Sequence, residues 1–120
     1  MPVSSADFLH TAENFLKLST EIDCRNSASR AYYSAYHHCI PLASVLGTAA
    51  KPTSGTHNMF INQFIGSSNF KVKSIGYLLR QCLGLRIKAD YQIDIEFHHR
   101  EAETTVELAK RIIEDADKLK

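Results

Sequence analysis

The chain is poor in cysteine: it has three, and no two of them form a CxxC pair. An odd number, each lying within a helical pattern, argues against a disulfide framework and against a structural zinc ribbon. Cys24, Cys39 and Cys82 read instead as reduced, mostly buried small hydrophobes. Long apolar runs are also missing. Nothing approaches the roughly 20 residues that a membrane helix needs, and the first residues lack a cationic-then-apolar leader pattern. The expectation is a cytoplasmic protein with no membrane association. Charge of one sign is scarce as well: the formal net charge is +1. Broad, non-specific attraction to nucleic acid or to an anionic surface is therefore not expected, while a local basic patch stays open. There is no internal repeat, low-complexity tract or long linker. The 120 residues read as one domain, 1–120, long enough to bury a real core.

What is present is helical periodicity. Phe8, Ala12, Phe15 and Leu16 make one apolar stripe, with Ser4 or Ser5 as N-cap and Asp7 in the first turn. A second helix is predicted from Asp23 to about Leu46, capped by Gly47 and kinked at Pro41, which removes a backbone donor. Residues 48–56 read as loop. A short helix follows from His57 to Ile65, turning Met59 or Phe60 and Phe64 inward, and Gly66 to Asn69 break it. A fourth helix spans Lys71 to Ala89, with Ile75, Leu78, Leu79, Cys82, Leu83 and Leu85 at the helical period and Gly76 and Gly84 against it. Asp90 to Ile95 reads as an extended connection, since an alternating stretch has no second strand to pair with. The last helix is expected from Glu96 to the C-terminus, burying Val106, Ala109, Ile112, Ile113, Ala116 and Leu119. The sum is an all-α, up-and-down bundle of four long helices and one short one.

The second helix carries the chemistry. Arg30 and His37 are seven residues apart, nearly two turns, and so share a face. Tyr33 and Ser34 fall between them at helical neighbour spacings. A guanidinium matches phosphate geometry and keeps its proton, and an imidazole titrates near neutrality. Together they suit metal-free RNA cleavage: a base activates the ribose 2′-hydroxyl, and the guanidinium holds charge developing on the phosphoryl oxygens. The axial rise between the two is about 10 Å, too far for one helix to close both on one small group. Two copies packed antiparallel across a two-fold axis would bring Arg30 of one to His37 of the other, with Ala31, Ser34 and Ala35 permitting close approach. The spacing thus suggests a composite site in a homodimer. Tyr33 or Tyr36 could stack on a base or donate a hydrogen bond. The plainer alternative also stands: an Arg and a His on one amphipathic helix, Tyr32 and Tyr36 as core aromatics, Ser34 as a packing residue.

Other features are weighed the same way. His37-His38 and His98-His99 invite a metal reading, but adjacent helical residues point about 100° apart, so no metal and no cofactor is expected. His57 either reaches a substrate or simply starts a helix. Lys71, Lys73, Arg80, Arg86 and Lys88 are the one basic concentration. Lys73, Arg80 and Arg86 could grip an RNA backbone, or form a solvated face. Asp90 or Asp23 could aim an arginine, Arg30 included; Asp23 could equally cap its helix.

Asp23-x-Arg25, Ser29-Arg30-Ala31-Tyr32-Tyr33-Ser34-Ala35-Tyr36-His37, Leu78-Leu79 and Arg86-x-x-Ala89-Asp90-Tyr91 together resemble the HEPN superfamily. More narrowly, the chain is similar to the small single-domain members of bacteria and archaea. The resemblance implies a homodimeric helical bundle and, for active members, metal-independent endoribonuclease activity through an Arg-x4-6-His motif. Arg30 and His37, with six residues between them, match its long form. It also implies a toxin-like role in a toxin–antitoxin or phage-defence system, often beside a small nucleotidyltransferase. Ala31 follows Arg30 where strongly active members often carry Asn, and His38-Cys39 follows His37 where one toxin subgroup has x-Tyr. The site expected on this basis is Arg30 and His37 as catalytic pair, with Tyr33, Ser34, Tyr36, Asp90, Arg86, Lys73 and Arg80 binding or supporting the RNA. The alternative is a non-catalytic module that dimerises and binds a nucleotidyltransferase or a nucleotide.

Overall fold

A computed structural model describes residues 2–45 and 57–119. The described residues form five helices: α1 (Ser5–Leu18), α2 (Glu21–Val45), α3 (His57–Ile65), α4 (Phe70–Tyr91) and α5 (His99–Asp117). Four are long and one is short, and no strand occurs among the described residues. The expected Gly47 cap and the 48–56 loop lie outside those residues.

The chain starts its first helix where a serine can cap it. The Ser4 side chain accepts from the Asp7 N–H, and Asp7 accepts back from the Ser4 N–H at 2.8 Å. This reciprocal box satisfies donors that the first turn cannot. Ser19 ends α1 in the left-handed region, with φ of 69°, and Thr20 opens α2 by accepting from the Asp23 N–H at 3.3 Å. The resulting two-residue turn folds α2 back along α1. Ala12 and Ala28 are small and fully buried, and the Ser27 hydroxyl donates to the Ala12 carbonyl at 2.7 Å, so the two backbones run close.

α2 is the central element and touches α1, α4 and α5. Cross-contacts give the directions. Ser5 reaches His38 and Ala12 reaches Ser27, so α1 and α2 are antiparallel. Ser29 meets Asp90 while Tyr33 meets Arg86, so α4 runs against α2. Lys88 meets Glu101 and Cys82 meets Thr105, so α5 reverses again. That is an up-and-down bundle. Its core holds Tyr32, Phe60, Phe64, Ile75, Leu79, Cys82 and Ile112 at 0–1 % exposure. α3 packs on α4 by turning Phe60 and Phe64 inward, while Met59 stays exposed. All three cysteines are free and buried. Burial pushes the thiols of Cys39 and Cys82 up to about 12, so they pack as apolar groups.

The expected boundaries need correction at four places. α2 begins at Glu21, one half-turn before Asp23, because Thr20 supplies the cap. α4 begins at Phe70, where the Asn69 side chain accepts from the Lys71 N–H at 2.9 Å. It continues through Asp90 and Tyr91, which are helical rather than extended. The reason is Arg25. Its guanidinium reaches in from α2 and donates to the carbonyls of Lys88, Ala89, Gln92 and Ile95. Lys88 and Gln92 also accept from the Gln92 and Ile95 N–H groups, so Arg25 is the donor that the Ala89 and Ile95 carbonyls depend on. The same anchoring holds residues 92–98 as a tight bend, so α5 starts at His99 instead of Glu96. Phe97 is buried beneath that bend, and its N–H donates to Glu21 at 3.2 Å.

Candidate functional site

One strip of α2 is left open by the packing. Asn26 and His37 are exposed, Arg30 and Tyr33 are half-buried, and Pro41 is exposed. The residues between them turn into the bundle. Ala31, Ser34 and Ala35 are all 0 % exposed. The Ser34 hydroxyl donates to the Ala31 carbonyl at 2.8 Å. Ser34 is thus a core residue, out of reach of any ligand, and the three small residues line the subunit interior instead of permitting a second copy to approach. Tyr36 is buried too, at 6 %.

Arg30 and His37 are brought to the same two rings. The Arg30 guanidinium carbon lies 5.5 Å from the Phe8 ring and 5.3 Å from the Tyr33 ring. His37 lies 5.3 Å from Phe8 and 6.0 Å from Tyr33, nearly parallel to the latter at 30°. Phe8, from α1, was invisible as a site residue because it belongs to an ordinary apolar stripe. Only the antiparallel α1–α2 pairing sets it over the open strip. Val3 and Phe8 line two adjoining surface clefts. One, of about 410 Å³, holds His37, His38, Pro41, Ser4 and Ser5; the other, of about 260 Å³, holds Arg30, Asp7 and Thr11. His38 is not free for chemistry: its Nδ1 meets the Ser5 hydroxyl at 2.9 Å and its Nε2 meets Asp117 at 2.8 Å, tying together the ends of α1, α2 and α5.

Tyr33 joins this strip to α4 and α3. Its hydroxyl accepts from Arg86 Nη2 at 2.9 Å, and the Arg86 guanidinium carbon is 5.1 Å from its ring. Arg86 is aimed by Asp90, whose Oδ2 lies 2.8 Å from Nε and also accepts from Ser29 at 3.1 Å. The Arg86 Nε–H is off the line to that oxygen and makes no hydrogen bond, so this contact is an ion pair by distance only. Asp90 therefore serves Arg86 and not Arg30, and Asp23 bonds Thr20 at the start of α2. Lys73 and Arg80 lie on the earlier turns of α4. Arg80 reaches Asn62 of α3 at 3.2 Å and sits over Tyr77. Neither makes a hydrogen bond, ion pair or ring contact with the Tyr33 cluster.

His57, the first residue of α3, enters the cluster from the other side. It lies 5.8 Å from the Tyr33 ring and 4.5 Å from the Tyr36 ring, and its Nδ1 is 2.7 Å from the Tyr32 hydroxyl. Burial, then the Arg86 and His37 charges, hold the His57 imidazolium below the usual histidine range. Burial raises the Tyr32 and Tyr36 phenols, so both keep their protons. Tyr33 thus has two guanidiniums and two imidazoles around it, with one carboxylate, Asp90, in contact with the group. His57 does start α3, and its place in this cluster follows only from the packing of α3 on the bundle. Among the described residues no three His, Cys, Asp or Glu side chains converge as a metal site would require, and no helix is long and apolar enough to cross a membrane. Comparison with family models, with curated proteins and with solved structures finds no match to this chain.

Proposed function

We propose that this chain is a HEPN-type endoribonuclease that cleaves RNA without a metal ion, acting as a homodimer. The observation that supports this reading is the pairing of Arg30 and His37 against the same two rings, Phe8 and Tyr33, on the open strip of α2. His37 takes the proton from a ribose 2′-hydroxyl. The freed oxygen bonds to the adjacent phosphorus, the bond from phosphorus to the 5′-oxygen breaks, and Arg30 holds the charge on the non-bridging oxygens. The products are a 2′,3′-cyclic phosphate and a 5′-hydroxyl. Phe8 separates the two clefts into which Arg30 and His37 open, which favours a composite arrangement: the strip of one subunit faces that of its partner, Arg30 against His37, with Tyr33 between them. Arg86, held by Asp90, adds a cation for the RNA backbone. The setting that fits is the cytoplasmic toxin-like half of a two-gene pair, neutralised by a small nucleotidyltransferase.

The test is incubation of the purified protein with RNA in EDTA. Cleavage that leaves cyclic phosphate ends, lost in Arg30→Ala and in His37→Ala while sedimentation still reports a dimer, is the expected result. A folded dimer that leaves RNA intact overturns the proposal and supports a binding module built on the same surface.

A further inference from the structure

We propose that His57 is a second proton-transfer group of this site, supplied by the same subunit as His37, and that it protonates the 5′-oxygen as it leaves phosphorus. This rests on the ribonuclease reading above and adds to it a residue outside the Arg30–His37 pair. The motif offers one histidine per subunit, whereas 2′-hydroxyl attack needs a proton removed at one oxygen and another delivered at the opposite one. The geometry points to His57 for the second task.

Three observations carry it. First, His37 and His57 both pack on one ring: their centroids lie 5.5 Å and 4.5 Å from that of Tyr36, which limits the separation of the two imidazoles to 10.0 Å. Two hydrogen bonds of about 2.8 Å each, with a phosphorus and its two apical oxygens between them, fit within that limit. Second, the two nitrogens of His57 are differentiated. Nδ1 is engaged by the Tyr32 hydroxyl at 2.7 Å, and Nε2 has no hydrogen-bond partner among the described residues. With Nδ1–H donating to the tyrosine oxygen, Nε2 alone gains and loses the proton, and the ring keeps its orientation in both states. Third, His57 does not face solvent alone. It lines a cleft of about 270 Å³ with Asn58, Leu83, Arg86, Ile87 and Tyr91. Arg86 there can hold a phosphate oxygen, and the exposed Tyr91 ring, under the same guanidinium at 5.4 Å, offers a face for a base. The groups facing His57 are Tyr32, Tyr33, Tyr36 and His37 of α2 and Arg86 of α4. Among the described residues no carboxylate touches it, so its imidazolium is a comparatively strong acid.

Bonds and protons balance. His37 accepts the 2′-hydroxyl proton, the P–O2′ bond forms, the P–O5′ bond breaks, and Nε2 of His57 gives its proton to O5′. Bulk water then restores both histidines.

The experiment uses two RNA substrates with the full-length protein: an ordinary oligonucleotide, and one whose scissile 5′-oxygen is replaced by sulfur. A thiolate leaves without protonation, so the second substrate needs no acid. His57→Gln and His57→Phe are compared, the latter keeping a ring on Tyr36; melting curves identify the folded variant. The expected result is a loss of about 10²–10⁴-fold on the oxygen substrate and less than about tenfold on the sulfur substrate, while His37→Ala loses both. The alkaline limb of the pH–rate profile, where the acid loses its proton, should change in the His57 variants only with the oxygen substrate. Folded His57 variants that lose neither substrate, or both equally, overturn the assignment of His57 and leave the ribonuclease reading standing. A wild-type protein that cleaves neither substrate overturns that reading, and this inference falls with it.

Discussion

Tyr33 holds Arg86 in two ways at once: its hydroxyl accepts from Nη2 at 2.9 Å, and its ring lies 5.1 Å beneath the guanidinium carbon. Tyr33→Phe keeps the ring and removes the acceptor. The hydrogen bond is charge-assisted and half-buried, so its loss should cost about 1–2 kcal/mol. Urea unfolding should show a lower midpoint at an unchanged slope. A midpoint equal to wild type would mean that the ring contact alone positions Arg86.

The helices were legible because they rest on local signals. The stripe Phe8/Ala12/Phe15/Leu16, the serine cap and the apolar period of residues 75–83 all act within one helix. Arg30 and His37 were legible as a pair for the same reason, since the helical repeat alone puts them on one face. What one helix cannot report is which part of that face stays open. Ser34 shares the sector between Arg30 and His37, yet it is fully buried with its hydroxyl on the Ala31 carbonyl, whereas the longer side chains at 30, 33 and 37 stay partly open. Phe8 and His57 come to the site from other helices, so their roles depend on tertiary packing that no periodicity encodes. Arg25 is the clearest such case, because its partners are carbonyls more than 60 residues away in the chain.

Arg25 is the staple of the α2–α4–α5 corner. It is 6 % exposed, donates to Ala89 at 2.9 Å and Gln92 at 3.2 Å, pairs with Glu21 at 2.9 Å and lies 5.7 Å from the Phe97 ring. Removing it leaves the Ala89 and Ile95 carbonyls without donors, while Lys88 and Gln92 keep backbone N–H partners. Arg25→Ala should therefore destabilise by about 3–5 kcal/mol. Arg25→Lys should recover only part of this, because one ammonium cannot reach acceptors on two sides. Thermal melts should rank wild type above Arg25→Lys and Arg25→Lys above Arg25→Ala; equal melts for wild type and Lys would refute the need for a fork.

The two glycines of α4 should respond in opposite directions. A methyl at Gly76 would sit 2.7 Å from the Ile65 backbone nitrogen and 2.9 Å from the Phe64 Cβ, so α3 could not pack as it does. At Gly84 a methyl meets nothing within 4 Å. Gly76→Ala should destabilise by about 1–3 kcal/mol, the clash exceeding the helix gain. Gly84→Ala should stabilise by about 0.5–1 kcal/mol, because alanine loses less freedom on folding and favours helix. Denaturant midpoints for the pair decide it, and a stabilising Gly76→Ala would show that α3 is free to shift.

His57 makes a prediction about stability that does not depend on catalysis. Burial first, then Arg86 and His37, lower its folded pKa beneath the ordinary 6.5. Between the lowered and the ordinary value the unfolded chain binds more protons than the folded one, so stability falls as pH falls. The contribution is fully present above about 6.5 and is lost as pH drops through the folded value. The carboxylates of Glu21 and Glu101 act in a separate, more acidic window. Glu21 is lowered from 4.5 by Arg25 and the Phe97 N–H; Glu101, although burial raises it, is lowered on balance by the His98 N–H and Lys88. Urea midpoints for wild type and His57→Gln, taken from pH 7.5 to 5, should converge as the solution becomes acidic, because only wild type must charge or strain this imidazole. Parallel curves across that range would show that His57 takes up its proton as readily in the folded bundle as in the unfolded chain.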